Sequence, residues 1–107
     1  YFKIREMENF IFSSNKNQIS IPWNLYNDGL FLRRCKRGDK IKSATSKNHL
    51  LISDLFINNK LSKFNKLTQP LVVNKLDRII WVPGLVHGNI NEVSKHTNSK
   101  IIEWIQI

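Results

Sequence analysis

Alternation of apolar and polar residues predicts several short strands in the first third of the chain. The pattern runs over residues 1–7 and again over residues 19–22, where isoleucine alternates with polar residues. Because successive side chains of a strand point to opposite faces, this period of two indicates strands with one buried face. Residues 9–14 predict a further strand, and turn-forming residues follow at 13–17 and at 27–29.

The middle of the chain changes from a strand pattern to a helical one. Residues 30–37 predict a strand whose second half is basic, and the polar residues 41–48 predict a loop. Over residues 48–58 we expect a helix that Asn48 caps and that has His49 in its first turn. The apolar residues of this helix recur at helical spacing and share one face: Leu51, Ile52, Leu55 and Phe56.

The last third predicts a second short helix followed by strands. Ser62 is placed to cap a helix over residues 63–67. The β-branched runs at residues 71–73 and 78–82 predict a hairpin. Residues 101–107 predict a strand that is apolar on both faces and therefore central in its sheet. Together these elements predict an α+β fold, a β-rich domain with one or two helices inserted in the middle of the chain.

Length and charge narrow the kinds of partner that such a domain can have. The 107 residues suffice for one domain, and a hydrophobic fraction of 41% is enough for a packed core. The 17 Lys and Arg outnumber the 8 Asp and Glu, which gives a formal net charge of +9. This excess favours a polyanionic partner, either nucleic acid or an anionic membrane surface. The competing interpretation is a charge that only keeps the domain in solution.

The cysteine content and the chain start indicate the cellular setting. A single cysteine, Cys35, excludes an internal disulfide and favours a reducing, cytoplasmic location. No apolar stretch is long enough to cross a membrane, so we expect no membrane partner. The sequence opens at Tyr1 directly in a strand pattern. We therefore expect residues 1–107 to form a single domain of a longer protein.

The sequence offers no recognisable catalytic machinery. The three histidines, His49, His87 and His96, are scattered, and no Ser-His-Asp or Cys-His arrangement can be argued from their spacing. The four glycines do not form a phosphate-binding loop, and no metal-ligand spacing occurs. An independent small enzyme is therefore the least supported interpretation, and we expect no catalytic residue and no metal site.

Two groups of cations are the candidate binding residues. The first surrounds Gly38 and Asp39 and comprises Arg33, Arg34, Lys36, Arg37, Lys40 and Lys42. The second has a spacing of three, which places its members on one side of a short helix: Lys60, Lys63 and Lys66. Arginine suits bidentate phosphate contacts, so the two groups could frame one positive groove, while Asp39 stabilises the turn or holds an arginine in place. The alternatives are a charged edge strand that deters pairing and a solvated helix face.

Three segments, in order, resemble the C-terminal domain of the bacterial tRNA(Ile)-lysidine synthases. Residues 32–40 are similar to the arginine-rich segment of that family, which ends in Gly-Asp-Arg. Residues 53–61 resemble its helix, and residues 70–73 with 79–84 resemble its closing hairpin. The resemblance covers about residues 30–86. Several family positions carry other residues here: Cys35, Lys40, Leu50, Leu51, Asn58 and Ser62.

The resemblance implies both a fold and a role. The fold would be an unusual β-sandwich with added helices, which the phenylalanyl-tRNA synthetase β subunit shares. The parent enzyme would be a ligase that uses ATP to attach lysine to the wobble cytidine of an isoleucine tRNA. Catalysis and ATP binding would belong to an N-terminal domain of the same chain, so that residues 1–107 would grip the tRNA without a cofactor. The alternative role is an interaction domain that packs on the parent enzyme or mediates a homodimer.

Overall fold

The computed structural model describes residues 1–7, 15–43, 48–90 and 99–105. Predictions for residues 9–14 and for residues 106 and 107 lie outside these ranges. In chain order the described elements are β1 Phe2–Met7, β2 Gln18–Pro22, α1 Trp23–Asp28, β3 Leu30–Arg33, β4 Lys40–Lys42, β5 His49–Leu51, α2 Ile52–Asn58, α3 Lys63–Thr68, β6 Leu71–Asn74, β7 Ile79–Val82, β8 Val86–His87 and β9 Ser99–Trp104.

The final strand is the centre of a three-stranded antiparallel sheet, sheet A. In the order β1-β9-β2, Ile102 of β9 pairs with Ile4 on one side and with Ile19 on the other. The prediction of a central last strand is confirmed, although β9 begins at Ser99 rather than at residue 101.

A second sheet, sheet B, contains the predicted hairpin. Its strands follow the order β3-β6-β7-β8, which leaves β3 at an edge. The hairpin of β6 and β7 is confirmed, and the side chain of Asn74 closes it. The Asn74 side-chain oxygen accepts the backbone N–H groups of Leu76 at 3.0 Å and Arg78 at 2.9 Å. A separate pair, β4 and β5, packs beside sheet B through β4 and β7.

Sheet B is the middle of three layers, because its strands contribute to two different core clusters. On one face, Val72, Ile80 and Trp81 pack against the isoleucines of sheet A. On the other face, Leu71 and Val73 pack against a layer built from β4 and α2. That layer supplies Ile41, Ile52 and Phe56, which are at most 4% exposed. The predicted β-rich α+β sandwich with helices inserted in mid-chain is confirmed.

The structure corrects the turn and the strand that precede the arginine-rich segment. Residues 27 and 28, predicted as part of a turn, end helix α1, and Gly29 follows it with a φ of 109°. β3 stops at Arg33, so the predicted strand over residues 30–37 is too long. Asp39 binds both the side chain of Arg33 and the N–H of Lys36, which turns the chain away from the strand.

The predicted loop over residues 41–48 is wrong at residues 41 and 42, and its residues 44–47 lie outside the described ranges. The predicted helix start at Asn48 is also wrong. Residues 40–42 form β4, and residues 49–51 form β5, so His49 belongs to a strand. Helix α2 begins at Ile52, whose N–H donates to the carbonyl of Asp39 at 2.9 Å. A tertiary hydrogen bond thus takes the place of the side-chain cap that Asn48 would have given.

The short helix α3 follows its prediction closely. Ser62 is its N-cap, and the Ser62 hydroxyl accepts the N–H of Asn65 at 3.1 Å. The helix ends at Thr68, one residue later than predicted, because the N–H of Gln69 still donates to the carbonyl of Asn65 at 2.9 Å. Local signals sufficed here because cap and helix lie within seven residues of each other.

Candidate nucleic-acid interface

Arg33, the first of the candidate cations, lies inside a network of carboxylates. Its Nη1 and Nη2 donate to the two oxygens of Asp39 at 2.7 and 3.0 Å, and its Nε donates to Asp77 at 2.8 Å. Nη1 also donates to the carbonyl of Arg34 at 3.0 Å, and Nη2 lies 3.5 Å from the second Asp77 oxygen. These bonds occupy every donor direction of the guanidinium, and the side chain is only 16% exposed. The donors of Arg33 are therefore already used within the protein.

Asp39 organises the segment that we call the arginine loop, residues 33–39. Besides Arg33 it accepts the N–H of Lys36 at 2.6 Å. The hydrogen bonds from Arg33, followed by the one from Lys36, hold the pKa of Asp39 below its ordinary value despite partial burial. The same bonds to Asp39 raise the pKa of Arg33. Gly38 has a φ of 86°, which suits the left-handed turn that returns the chain to Asp39.

Cys35 faces inward from the arginine loop. It packs against the core cluster under β4 and α2, and burial raises the pKa of its thiol. A raised pKa disfavours the reactive thiolate, which favours a packing role for Cys35 over a nucleophilic one.

The other cations of the first group reach the surface. Arg34, Lys36, Arg37 and Lys40 are exposed, and Lys42 is half-buried. None of them makes an ion pair with an acid in the described ranges. Unlike Arg33, these side chains are available for an anionic ligand.

The second group lies on and just before α3. Lys60 follows α2 with a φ of 54°, and Lys63 and Lys66 lie one turn apart on α3. All three are exposed, and no carboxylate of the described residues pairs with them. Because Lys60 lies outside α3, the prediction that one side of a short helix carries all three lysines is wrong, while their binding role remains a prediction.

The register of sheet B brings the two groups to the same end of that sheet. Arg33, the last residue of β3, pairs with Leu71, the first residue of β6. The arginine loop therefore leaves the sheet where α3, which ends at Thr68, enters it. The loop and α2 also contact the same core cluster through Cys35 and Phe56. The fold thus places both groups around one end of sheet B and the layer that covers it.

Acidic residues are scarce around these cations. Between residues 40 and 76 the sequence has seven lysines and one acid, Asp54. Other acids are already engaged: Asp28 lies 3.8 Å from Lys75, and Glu6 pairs with Lys100. The positive charge of this region is therefore largely uncompensated.

Asp77 is the residue of the network that sequence reasoning missed. It lies in the β6–β7 turn with a φ of 64°, and 44 residues separate it from Arg33. The turn itself was predictable from its polar residues. The partner was not, because only the pairing of β3 with β6 brings the two segments together.

The described ranges can be compared with what a metal site and a membrane-spanning helix require. No group of three His, Cys, Asp or Glu side chains there could hold a metal ion. No helix among those described is long and apolar enough to span a bilayer.

Comparison with known proteins relates the chain to one family of tRNA enzymes. It is 26% identical over 94 residues to the tRNA(Ile)-lysidine synthase of Bacillus licheniformis, covering 88% of this chain and 18% of that enzyme. It is 30% identical over 97 residues to that of Bacillus subtilis, covering 91% and 19%. The Thermotoga maritima enzyme is 30% identical over 84 residues, covering 78% and 18%. The chain therefore spans about a fifth of the length of these relatives. No family model matches it.

Solved structures give the same relationship at the level of fold. The crystal structure of the tRNA(Ile)-lysidine synthase (TilS) C-terminal domain superposes with a TM-score of 0.82 and 17% identity, covering 95% of this chain and 80% of that one. An N-terminal fragment of the phenylalanyl-tRNA synthetase β-subunit from Pyrococcus horikoshii follows, with a TM-score of 0.66 and 9% identity. It covers 95% of this chain and 38% of that fragment.

The fold defines a class of β-sandwich domain that occurs in enzymes named for tRNA substrates. Within that class, the sequence matches and the closer superposition agree on one member. The chain belongs to the C-terminal domains of the tRNA(Ile)-lysidine synthases, as the three motifs in its sequence indicated.

Proposed function

We propose that this domain binds tRNA for a tRNA(Ile)-lysidine synthase. The observation that carries the proposal is the set of exposed cations, without acidic partners in the described ranges, at one end of sheet B. Lysine and arginine side chains on such a surface bind phosphates and release counterions. The predicted contacts are Arg34, Lys36, Arg37, Lys40, Lys42, Lys60, Lys63 and Lys66.

Arg33 also belongs to the predicted set, but its surroundings support an indirect part. Its donors are directed at Asp39, Asp77 and a backbone carbonyl, so it holds the arginine loop while its neighbours meet the ligand. Recognition would use the shape and backbone of the RNA, because the major groove of an A-form helix is too narrow for side chains to read.

The activity of the whole enzyme is part of the same proposal. The names of its relatives point to a tRNA(Ile)-lysidine synthase, and the family resemblance implies that such an enzyme attaches lysine to the wobble cytidine of an isoleucine tRNA. ATP binding and catalysis would belong to an N-terminal domain, and this domain would supply neither. Its contribution would be to select and hold the tRNA in the cytoplasm.

The proposal is tested by measuring the affinity for an isoleucine tRNA over a range of salt concentrations. We expect the affinity to fall steeply with salt. Arg34→Gln together with Arg37→Gln should weaken binding and lower the salt slope by about one for each lost contact. The matched control is Lys3→Gln with Arg5→Gln, which removes the same charge from exposed positions of β1 on sheet A. Equal losses of affinity in both double variants would mean that only the net charge matters and not the position of the cations. Absence of tRNA binding by the parent chain would refute the function.

An interaction domain is the second candidate, and one observation favours it. An apolar groove of about 330 Å³ lies between the edges of the two sheets. It is lined by Phe2 and Ile4 of β1 and by Phe31 and Leu32 of β3, and the last two are each 56% exposed. Such a groove suits the parent enzyme or a second copy of the chain. Sedimentation of the parent chain and of the Leu32→Asp variant tests this candidate. Self-association of the parent chain that the variant loses would place the contact in this groove.

A further inference from the structure

Helix α3 exposes an aromatic side chain that the fold does not use. All six of its residues are exposed, and Phe64 and Leu67 are 71% and 60% accessible. By contrast, Phe56 on α2 is only 4% exposed, and Phe31, which is 56% exposed, lines the apolar groove between the two sheets. Phe64 therefore presents a large aromatic surface that a ligand could cover.

Polar and terminal contacts, rather than apolar packing, keep α3 in place. Leu61 packs on the core cluster just before the helix, and the Ser62 hydroxyl caps its first turn. After the helix, the side-chain amide of the buried Gln69 donates to the carbonyl of Pro83 at 2.8 Å. The helix is thus anchored at both ends, and its apolar side chains remain free on a supported backbone.

Two lysines lie on the same side of α3 as the exposed aromatic, with Leu67 between them and Phe64. At 3.6 residues per turn, Lys66, Lys63, Leu67 and Phe64 follow one another around one side of the helix. The sequence from residue 55 to residue 76 contains no acid. A ligand for this side of α3 must therefore offer an apolar face and negative charge together.

We propose that α3 binds an unpaired nucleotide, with its base stacked on Phe64 and its phosphates against Lys63 and Lys66. An unpaired nucleotide presents a flat base and an adjacent phosphate, whereas a duplex hides its base faces. This inference rests on the proposed tRNA-binding function and specifies which kind of RNA structure α3 meets. A protein partner would need acidic and apolar groups in the same arrangement, and it is the outcome that the test must exclude.

Three RNAs test the proposal in a mobility-shift assay. The first is a blunt duplex, the second carries an unpaired extension at one end, and the third has the same extension without bases. We expect the extended duplex to bind about tenfold more tightly than the blunt one, because each stacked base contributes at that level. The extension without bases should give only the part of the gain that comes from its phosphates.

Variants at Phe64 separate stacking from apolar contact. Phe64→Leu keeps apolar area but removes the aromatic face, so the gain should fall to the level of the extension without bases. Phe64→Tyr should retain the gain. Leu76→Ala is the matched control, because Leu76 is an 80% exposed apolar residue in the β6–β7 turn. Phe64 is exposed, so urea unfolding should give nearly equal stability for these variants and the parent chain.

The outcomes distinguish this proposal from the function on which it rests. Binding of the blunt duplex without any gain from the extension would overturn the role of α3 and leave tRNA binding intact. Absence of binding to every RNA would overturn both. Unchanged RNA binding by Phe64→Leu, together with a loss of self-association in sedimentation, would assign α3 to protein docking instead.

Discussion

The arginine loop and helix α3 are both rich in cations, and they use them in opposite ways. In the arginine loop, Arg33 is 16% exposed and surrounded by the carboxylates of Asp39 and Asp77. On α3, Lys63 and Lys66 are exposed and have no carboxylate partner among the described residues. The first region spends part of its charge on its own conformation, while the second leaves its charge to the solvent or to a ligand.

The comparison separates the charge in a sequence from the charge that a surface offers. Arginine suits the first region because its planar fork can satisfy two carboxylates and a carbonyl at once. Lysine suits the second because a flexible ammonium can follow a mobile phosphate backbone. The arginine-rich motif is therefore partly structural: Arg33 holds the loop, while Arg34, Lys36 and Arg37 stay exposed beside it.

The largest expected effect comes from Asp39→Asn. Losing the carboxylate leaves the partly buried guanidinium of Arg33 without its main partner, so the free energy of unfolding should fall by about 3 kcal/mol in urea titrations. If Asp39 positions the arginine loop, tRNA affinity should also fall, although the variant gains one unit of positive charge.

A rise in tRNA affinity for Asp39→Asn would contradict the structural role of Arg33. It would mean that the ion pair with Asp39 keeps Arg33 from binding a phosphate. Asp77→Asn provides the control. Its side chain is 59% exposed, so the same change of charge should cost less than about 1 kcal/mol of stability.

Low pH should lower the free energy of unfolding, as expected for Asp39→Asn, because it protonates Asp39. The pKa of Asp39 in the folded chain lies below its ordinary value of 3.8, so the unfolded chain binds the proton more readily. The stabilisation is complete above the ordinary value and is lost as the pH falls through the lower, folded-state pKa. Urea unfolding between pH 6 and pH 3, as approximate limits, should show a smaller fall in stability for Asp39→Asn than for the parent chain. Parallel curves would argue against the pairing.

Removing the lysines of α3 should affect binding and not stability. Lys63→Gln with Lys66→Gln should lower tRNA affinity about tenfold at low salt and reduce the salt slope by up to about two. The free energy of unfolding should stay within about 0.5 kcal/mol, because neither side chain packs in the fold. If this double variant lost stability and kept its tRNA affinity, the lysines of α3 would have a structural role instead of a binding role.

The smallest expected effect is that of Gly38→Ala. A Cβ at this position would meet no atom within 4 Å, so the cost comes only from the backbone, whose φ is 86°. We expect about 1 kcal/mol less stability and a small loss of tRNA affinity. The gain from an unpaired RNA extension should be unchanged, since α3 is anchored independently.

Local patterns predicted the elements whose determinants lie close together in the chain. The cap of α3 by Ser62 and the hairpin of β6 and β7 both followed from short windows. The apolar character of residues 101–107 also placed the last strand correctly at the centre of a sheet, within one or two residues at its start.

The errors arose where distant partners decide the structure. β3 ends early because Asp39 captures Arg33, and α2 starts late because the carbonyl of Asp39 accepts the N–H of Ile52. For the candidate site, the sequence named two groups of cations but could not tell which side chains the fold itself engages. Asp77, 44 residues from Arg33, was invisible to any local reading.

The position of β9 has a consequence for how the molecule is made. This strand pairs with β1 and β2, so Phe2 meets Trp104, and the N–H of Ile105 donates to the carbonyl of Tyr1 at 2.8 Å. Sheet A cannot assemble until residues 99–104 have been synthesised, and closing so long a loop slows folding. Until then β1 and β2 lack the strand that pairs with both of them. A nascent chain that stalls before Ser99 would expose these two unpaired strand edges to other chains and be prone to aggregate.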